Sequence, residues 1–293
     1  MSSIPINTAP GQPNEAIANE FKRALNGHGY AFQDAVASAI SGLNLSSWWR
    51  PWLPEFPVAV HDQKTRIDFT LVNETEDTYI ICECKRANPA IANWCFAQSW
   101  FHSKGASQGK LAFCETLIDP GDRSINMHIR PLPDLDNVFQ IAVEARTSEP
   151  KSKEETSTGK GQIEEAAGQV CRGLNGLVQF FYDRGVLIKQ AKKEMSFLPM
   201  IVTTANLWVT DDILSEASLT TGKISSESLA VRPVKWLWYQ YHQSPALKHT
   251  VPVNNRGMKV EDILFYEFVR PIAIVRPEGL EEFLNKRILN RGT

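Results

Sequence analysis

Apolar side chains recur every four residues at Ile17, Phe21 and Leu25, a period that predicts a helix. Asn14 can cap its start and Asn26-Gly27 stops it. Phe32, Val36 and Ile40 repeat the spacing and predict a second helix ending near Gly42, before a Trp/Pro-rich loop over residues 44–57. The period then shortens. Phe56 to Val60 is apolar, and Thr65 to Val72 alternates with Ile67, Phe69 and Leu71 on one side, the pattern of a strand. Residues 73–77 are polar and turn-like, and Tyr79-Ile80-Ile81-Cys82 is a short buried-strand run leading into Glu83-Cys84-Lys85.

Asn88-Pro89 pairs a capping residue with Pro at the first helical position, which predicts a helix with Ile91, Trp94/Cys95 and Gln98/Trp100/Phe101 on its apolar face. The pattern is irregular from Gly105 until a strand at Val138–Glu144, and residues 147–161 form a low-complexity segment read as a mobile loop. A long amphipathic helix is predicted from Gln162 to Tyr182, with Ile163, Ala167, Val170, Leu174 and Leu177/Phe181 inward. Phe197–Thr203, Asn206–Thr210, Lys235–Tyr241, Ile263–Phe268 and Ile272–Val275 read as strands, and Pro277-Glu278 opens a last helix with Leu280, Phe283/Leu284 and Ile288 inward. No internal repeat is visible. The order predicts an α/β fold: a central mixed β-sheet flanked by helices.

Composition narrows the picture. The chain has 293 residues, 43% of them hydrophobic and 22% charged, with a net charge of −2. This suits a globular domain with a real core and excludes a generally basic, histone-like protein, but not a local basic face. Residues 1–13 read as a flexible tail and residues 14–293 as a single domain. The start of the chain lacks the basic and apolar regions of a signal peptide, no apolar run is long enough to cross a membrane, and the five Cys are odd in number; together these lead to the expectation of a reduced, cytoplasmic protein.

The chemistry concentrates between Arg66 and Ala87. Along a strand Glu83 and Lys85 share one face and Cys82 and Cys84 the other. If the turn is centred between Thr75 and Glu76, Val72 faces Tyr79, Thr70 faces Ile81, Asp68 faces Glu83 and Arg66 faces Lys85. Opposed Cβ atoms are about 4.5–5.5 Å apart, and two carboxylates there repel. A divalent cation between them would remove the penalty, and Mg²⁺ (or Mn²⁺) commonly takes one or two carboxylates plus water and substrate phosphate. Lys85 could then orient or deprotonate the attacking water, which makes the arrangement one for metal-assisted phosphodiester hydrolysis.

Ile67-Asp68-Phe69 followed by a polar turn and Ile80-Ile81-Cys82-Glu83-Cys84-Lys85 resembles the PD-(D/E)xK nuclease superfamily, the restriction-endonuclease-like fold. Ile67 stands where the family has Pro. The resemblance covers residues 29–95, with a tolerated insertion within 103–161. It implies a Mg²⁺-dependent nuclease acting on DNA rather than RNA, with bacterial restriction, repair or phage defence as its setting and a homodimer among its arrangements. Asp68 and Glu83 would bind metal and Lys85 would organise water. The first helices would contribute Gln33, or alternatively Glu20 as a metal ligand. Gln169 matches the family's Gln on the helix after the core strands, with Gln162, Glu165 and Arg172 on its polar stripe. The other expectation from the same resemblance is an inactive module of this fold that binds nucleic acid or a protein partner.

Other residues carry weaker chemistry. Trp48 and Trp49 beside Arg50 are candidates for stacking on bases, against core packing as the default for Trp. Lys151/Lys153/Lys160 and Lys189/Lys192/Lys193 are basic runs able to meet phosphates. The six His lack zinc-ligand spacing, the thiols read as small hydrophobes, and Gly159-Lys160-Gly161 lacks the spacing of a phosphate loop.

Overall fold

Gly29, at φ 81°, separates the first two helices, α1 (Glu15–His28) and α2 (Tyr30–Ser41), because only a residue without Cβ enters that conformation at little cost. The computed structural model describes residues 14–45, 49–99, 112–119, 124–131, 137–145, 161–184, 195–210, 217–224, 229–248, 250–254, 259–260, 263 and 267–285. The tail at 1–13, Trp48, Trp100, Phe101, the segment 146–160 with its lysines, Lys189/Lys192/Lys193 and Ile288 lie outside them. In chain order the strands are β1 (Trp49–Trp52), β2 (Phe56–Val60), β3 (Gln63–Ile67), β4 (Phe69–Asn73), β5 (Thr78–Lys85), β6 (Asn93–Ala97), β7 (Ala112–Asp119) and β8 (Ser124–Pro131). Then follow β9 (Val138–Phe139), β10 (Ile141–Ala145), helix α3 (Gln162–Asp183), β11 (Met195–Thr203), β12 (Asn206–Thr210), β13 (Arg232–Val234), β14 (Trp236–His242), β15 (Val253–Asn254) and β16 (Val269–Val275). A turn of 3₁₀ helix at Pro277–Gly279 leads into a short helix, Leu280–Leu284.

The fold is α/β, built on a large mixed sheet ordered β1-β4-β5-β11-β16-β14-β9, with β7, β8 and β15 branching from β11. Its centre, β5-β11-β16, is parallel, and β11 is buried along its whole length. α3 lies on one face, burying Ile163, Ala167, Val170, Leu174, Leu177 and Phe181 as its periodicity requires. α2 and the Leu280–Leu284 helix cover the other, over Phe69, Leu71, Ile80 and Cys82. A second sheet, β10-β6-β12-β13, and the β2–β3 hairpin complete the layers. Among the described residues no helix is long and apolar enough to cross a membrane.

Several elements differ from their sequence patterns. The single strand expected over Thr65–Val72 is two, β3 and β4, broken by a bend at Asp68. The break turns Ile67 toward α3 while Phe69 and Leu71 face α2, so these three do not share a side. The helix expected at Asn88-Pro89 is one 3₁₀ turn, capped by the Asn88 side chain, and then strand β6. There Trp94 and Phe96 are buried while Asn93 and Cys95 are half-exposed, a period of two that neighbours β10 and β12 hold in place. The loop at 44–57 contains β1, the irregular stretch after Gly105 contains the β7–β8 pair, and Ile263, Glu267 and Phe268 are helical rather than strand. α1 forms as its spacing predicts, but Ile17 and Phe21 are 56% and 64% exposed.

Candidate active site

β4 and β5 pair as Phe69↔Cys82, Thr70↔Ile81, Leu71↔Ile80 and Val72↔Tyr79, the register expected from the turn at 75–76. The ladder stops there, and Asp68 and Glu83 are the next residues on each side. Arg66 does not continue the pairing toward Lys85. It belongs to the hairpin and pairs with Pro57, because the bend at Asp68 sends β3 away from the main sheet.

The backbone at Asp68 is held by its neighbours. Its carbonyl accepts Gln33 Nε2 of α2 at 2.7 Å and the Glu55 N–H at 2.9 Å. Its carboxylate Oδ2 accepts the Cys84 N–H at 2.6 Å, so the side chain reaches across to β5 where the ladder no longer does. Gln33 therefore positions Asp68 through the main chain. Glu20 is not brought in: it is exposed on α1 and, among the described residues, has no hydrogen bond or ion pair to this group.

Burial first, then the charge of Asp68, pushes the Glu83 carboxyl up to about 9. Burial also raises Asp68 to about 6; the Cys84 N–H opposes this, Glu55 adds to it and Lys85 opposes it. Glu55 acts on both carboxyls and was not singled out by the sequence. It sits in the left-handed region at φ 52°, in the turn between β1 and β2, and reaches the site only because the hairpin folds back from Asp68. Pro54 marks a turn there, but nothing local connects that turn to Asp68.

Lys85 Nζ pairs with Glu165 Oε2 of α3 at 3.0 Å, which links the end of β5 to the polar stripe of the helix. Gln169 and Arg172 follow Glu165 on that stripe, one and two turns on. Gln169 Oε1 and Arg172 Nε are buried and have no protein partner. At the start of the same helix, Gln162 Oε1 accepts the Asn88 N–H at 3.0 Å, and Glu144 Oε1 caps it by accepting the Ile163 N–H at 2.7 Å.

Two expected substrate contacts fall elsewhere. Trp49 is 2% exposed, packed in the α2-side core, and offers no face to a base. Arg50 pairs across from Val72, at the opposite end of β4 from Asp68, and its guanidinium meets Glu76 at 2.6 Å. Trp94, Trp236 and Trp238 are core residues too.

The donors that meet are oxygen atoms at the C-terminal end of a parallel strand, where open α/β sheets present ligand sites. Among the described residues no three His, Cys, Asp or Glu side chains gather as a metal centre. Asp68 and Glu83 offer oxygen donors, the type that hard ions such as Mg²⁺ take. None of the family models, curated proteins or solved structures compared with the chain matches it.

Proposed function

We propose that this chain is a metal-dependent nuclease of the PD-(D/E)xK kind that hydrolyses phosphodiester bonds of DNA, in the cytoplasm, in restriction, repair or phage defence. One observation carries the reading: Asp68 and Glu83 are the next residues on each side where the β4–β5 ladder stops, both carboxyls are raised chiefly by burial and Glu83 further by the charge of Asp68, and Lys85 stands on the same strand as Glu83. Burying two like charges together costs stability, and a bound cation offsets it.

Asp68 and Glu83 would hold the cation, Mg²⁺ or Mn²⁺, which when bound supplies Lewis-acid polarisation of the phosphate and a more acidic water. Glu83 gives up its proton on binding it. Lys85, oriented by Glu165, directs its N–H groups to the attacking water or to charge developing on the phosphate. Gln33 and the Glu55 N–H fix where Asp68 stands. Gln169 and Arg172, on the same stripe of α3 as Glu165, would carry the substrate contacts. The second reading, an inactive module that binds nucleic acid or protein, is favoured by the engagement of Lys85 with Glu165.

Incubation with linear, nicked and single-stranded DNA in Mg²⁺ or Mn²⁺ tests this. Cleavage is expected, stopped by a chelator, and reduced about 10²-fold or more in Asp68→Ala and Lys85→Ala. Undiminished cleavage by either variant would remove that residue from the site. Absence of both cleavage and any metal-dependent rise in melting temperature, with nucleic acid still bound, selects the inactive module.

A further inference from the structure

Farther along α3 from the site, the β2–β3 hairpin and the C-terminal half of the helix enclose an open groove of about 750 Å³, with Lys64, Arg66, Gln179, Phe180, Asp183 and Arg184 on its walls. We propose that this groove holds the phosphate backbone of a single-stranded stretch of the substrate on its way to Asp68, an inference that rests on the nuclease reading above.

Charge is the first argument. Three cations face one carboxylate, Asp183, in a chain whose net charge is −2. That carboxylate already accepts the Gln179 amide at 2.8 Å. Arg66 is 68% exposed, and among the described residues its acidic partner is Glu55, at 3.8 Å. Among the described residues Lys64 and Arg184 have no acidic partner. Spacing is the second argument. Lys64 and Arg66 stand two residues apart on one face of β3, about 7 Å from each other along the strand, and β3 ends at the bend of Asp68. Lys64 and Arg66 therefore lead along β3 toward Asp68, and Arg184 faces them from the end of α3.

The third argument is the ring of Phe180. The Arg184 guanidinium lies 5.6 Å from its centroid, an aromatic and cation pair of the kind on which unpaired bases stack. A base paired in a duplex does not present its face in this way, which selects the single strand. The walls are also fixed. Gly176 lets the hairpin approach α3 so closely that a Cβ there would lie 2.7 Å from Val58. The hairpin turn is anchored by His61 Nε2 at 2.9 Å from the Lys248 carbonyl.

Fluorescence anisotropy with a short labelled oligothymidylate, in a chelator and over about 50–200 mM salt, reads the contacts directly. Each phosphate contact on a single strand contributes roughly 0.7 to the slope of log affinity against log salt. Lys64→Gln/Arg66→Gln/Arg184→Gln is expected to lower that slope by about 2, with the melting temperature unchanged. Lys64→Glu alone serves as the second variant, lowering the slope by about 0.7 or more. Phe180→Leu is expected to weaken binding at every salt concentration without altering the slope. A slope unchanged in both charge variants overturns the groove while leaving the nuclease reading standing, provided the wild type cleaves. An oligonucleotide that the wild type does not bind overturns the groove, whereas the nuclease reading falls only if linear, nicked and single-stranded DNA all stay uncut in Mg²⁺ and Mn²⁺.

Discussion

At Asp68 one backbone carbonyl takes two hydrogen bonds and one carboxylate oxygen a third, so the residue is located by three separate elements. Glu83, set in the ladder between β5 and β11, answers burial by holding its proton. With its folded value near 9 and a reference value of 4.5, the folded chain binds more protons than the unfolded one between those limits. Its contribution to stability is therefore fully present below the lower value and is lost as pH rises through the upper one. Asp68, raised from 3.8 to about 6, adds a loss of the same sign at lower pH. Without metal, the melting temperature should fall across that window, and the fall should flatten in Glu83→Gln. Thermal unfolding in a chelator at a series of pH values measures it, and an unaltered pH dependence in the variant would count against the burial of Glu83. The Glu-x-Lys strand made Glu83 and Lys85 legible in the sequence. Glu55 was not legible, because its closeness to them is made by a turn whose destination no local pattern encodes.

Among the elements, α3 was the easiest to read, since the apolar stripe its period picks out, Ile163, Ala167, Val170, Leu174, Leu177 and Phe181, is buried. β6 was misread for a physical reason: Asn88-Pro89 is a true helix start, but only one turn follows it before Trp94 and Phe96 find neighbours on both sides. Short segments are decided by what they pack against, which propensity does not contain. The same dependence makes Gly176 a joint between elements. A methyl group there meets Val58, so Gly176→Ala should push the hairpin off α3 and cost about 1–3 kcal/mol. Urea unfolding measures the loss. If the variant is as stable as the wild type, the hairpin is not seated as closely as described.

Over the whole molecule, the class of fold was legible and the order of its strands was not. β11 settles between β5 and β16, each far away in the chain, and side-chain alternation says that a strand is buried without saying beside which partner. Within that parallel centre β11 and β16 are buried along their whole length, so their amides should be the last to exchange with solvent, and those of α1, which buries no residue, among the first. Hydrogen exchange followed by mass spectrometry checks the ranking. The bend at Asp68 has a mechanical meaning at this scale. The hairpin before it and the main sheet after it belong to different sheets, and one residue joins them. A force on the hairpin therefore acts as torque on a lever whose fulcrum is the Asp68 carbonyl, pinned by Gln33 and the Glu55 N–H. The short arm of that lever is the carboxylate itself, so whatever grips the hairpin also sets the aim of Asp68.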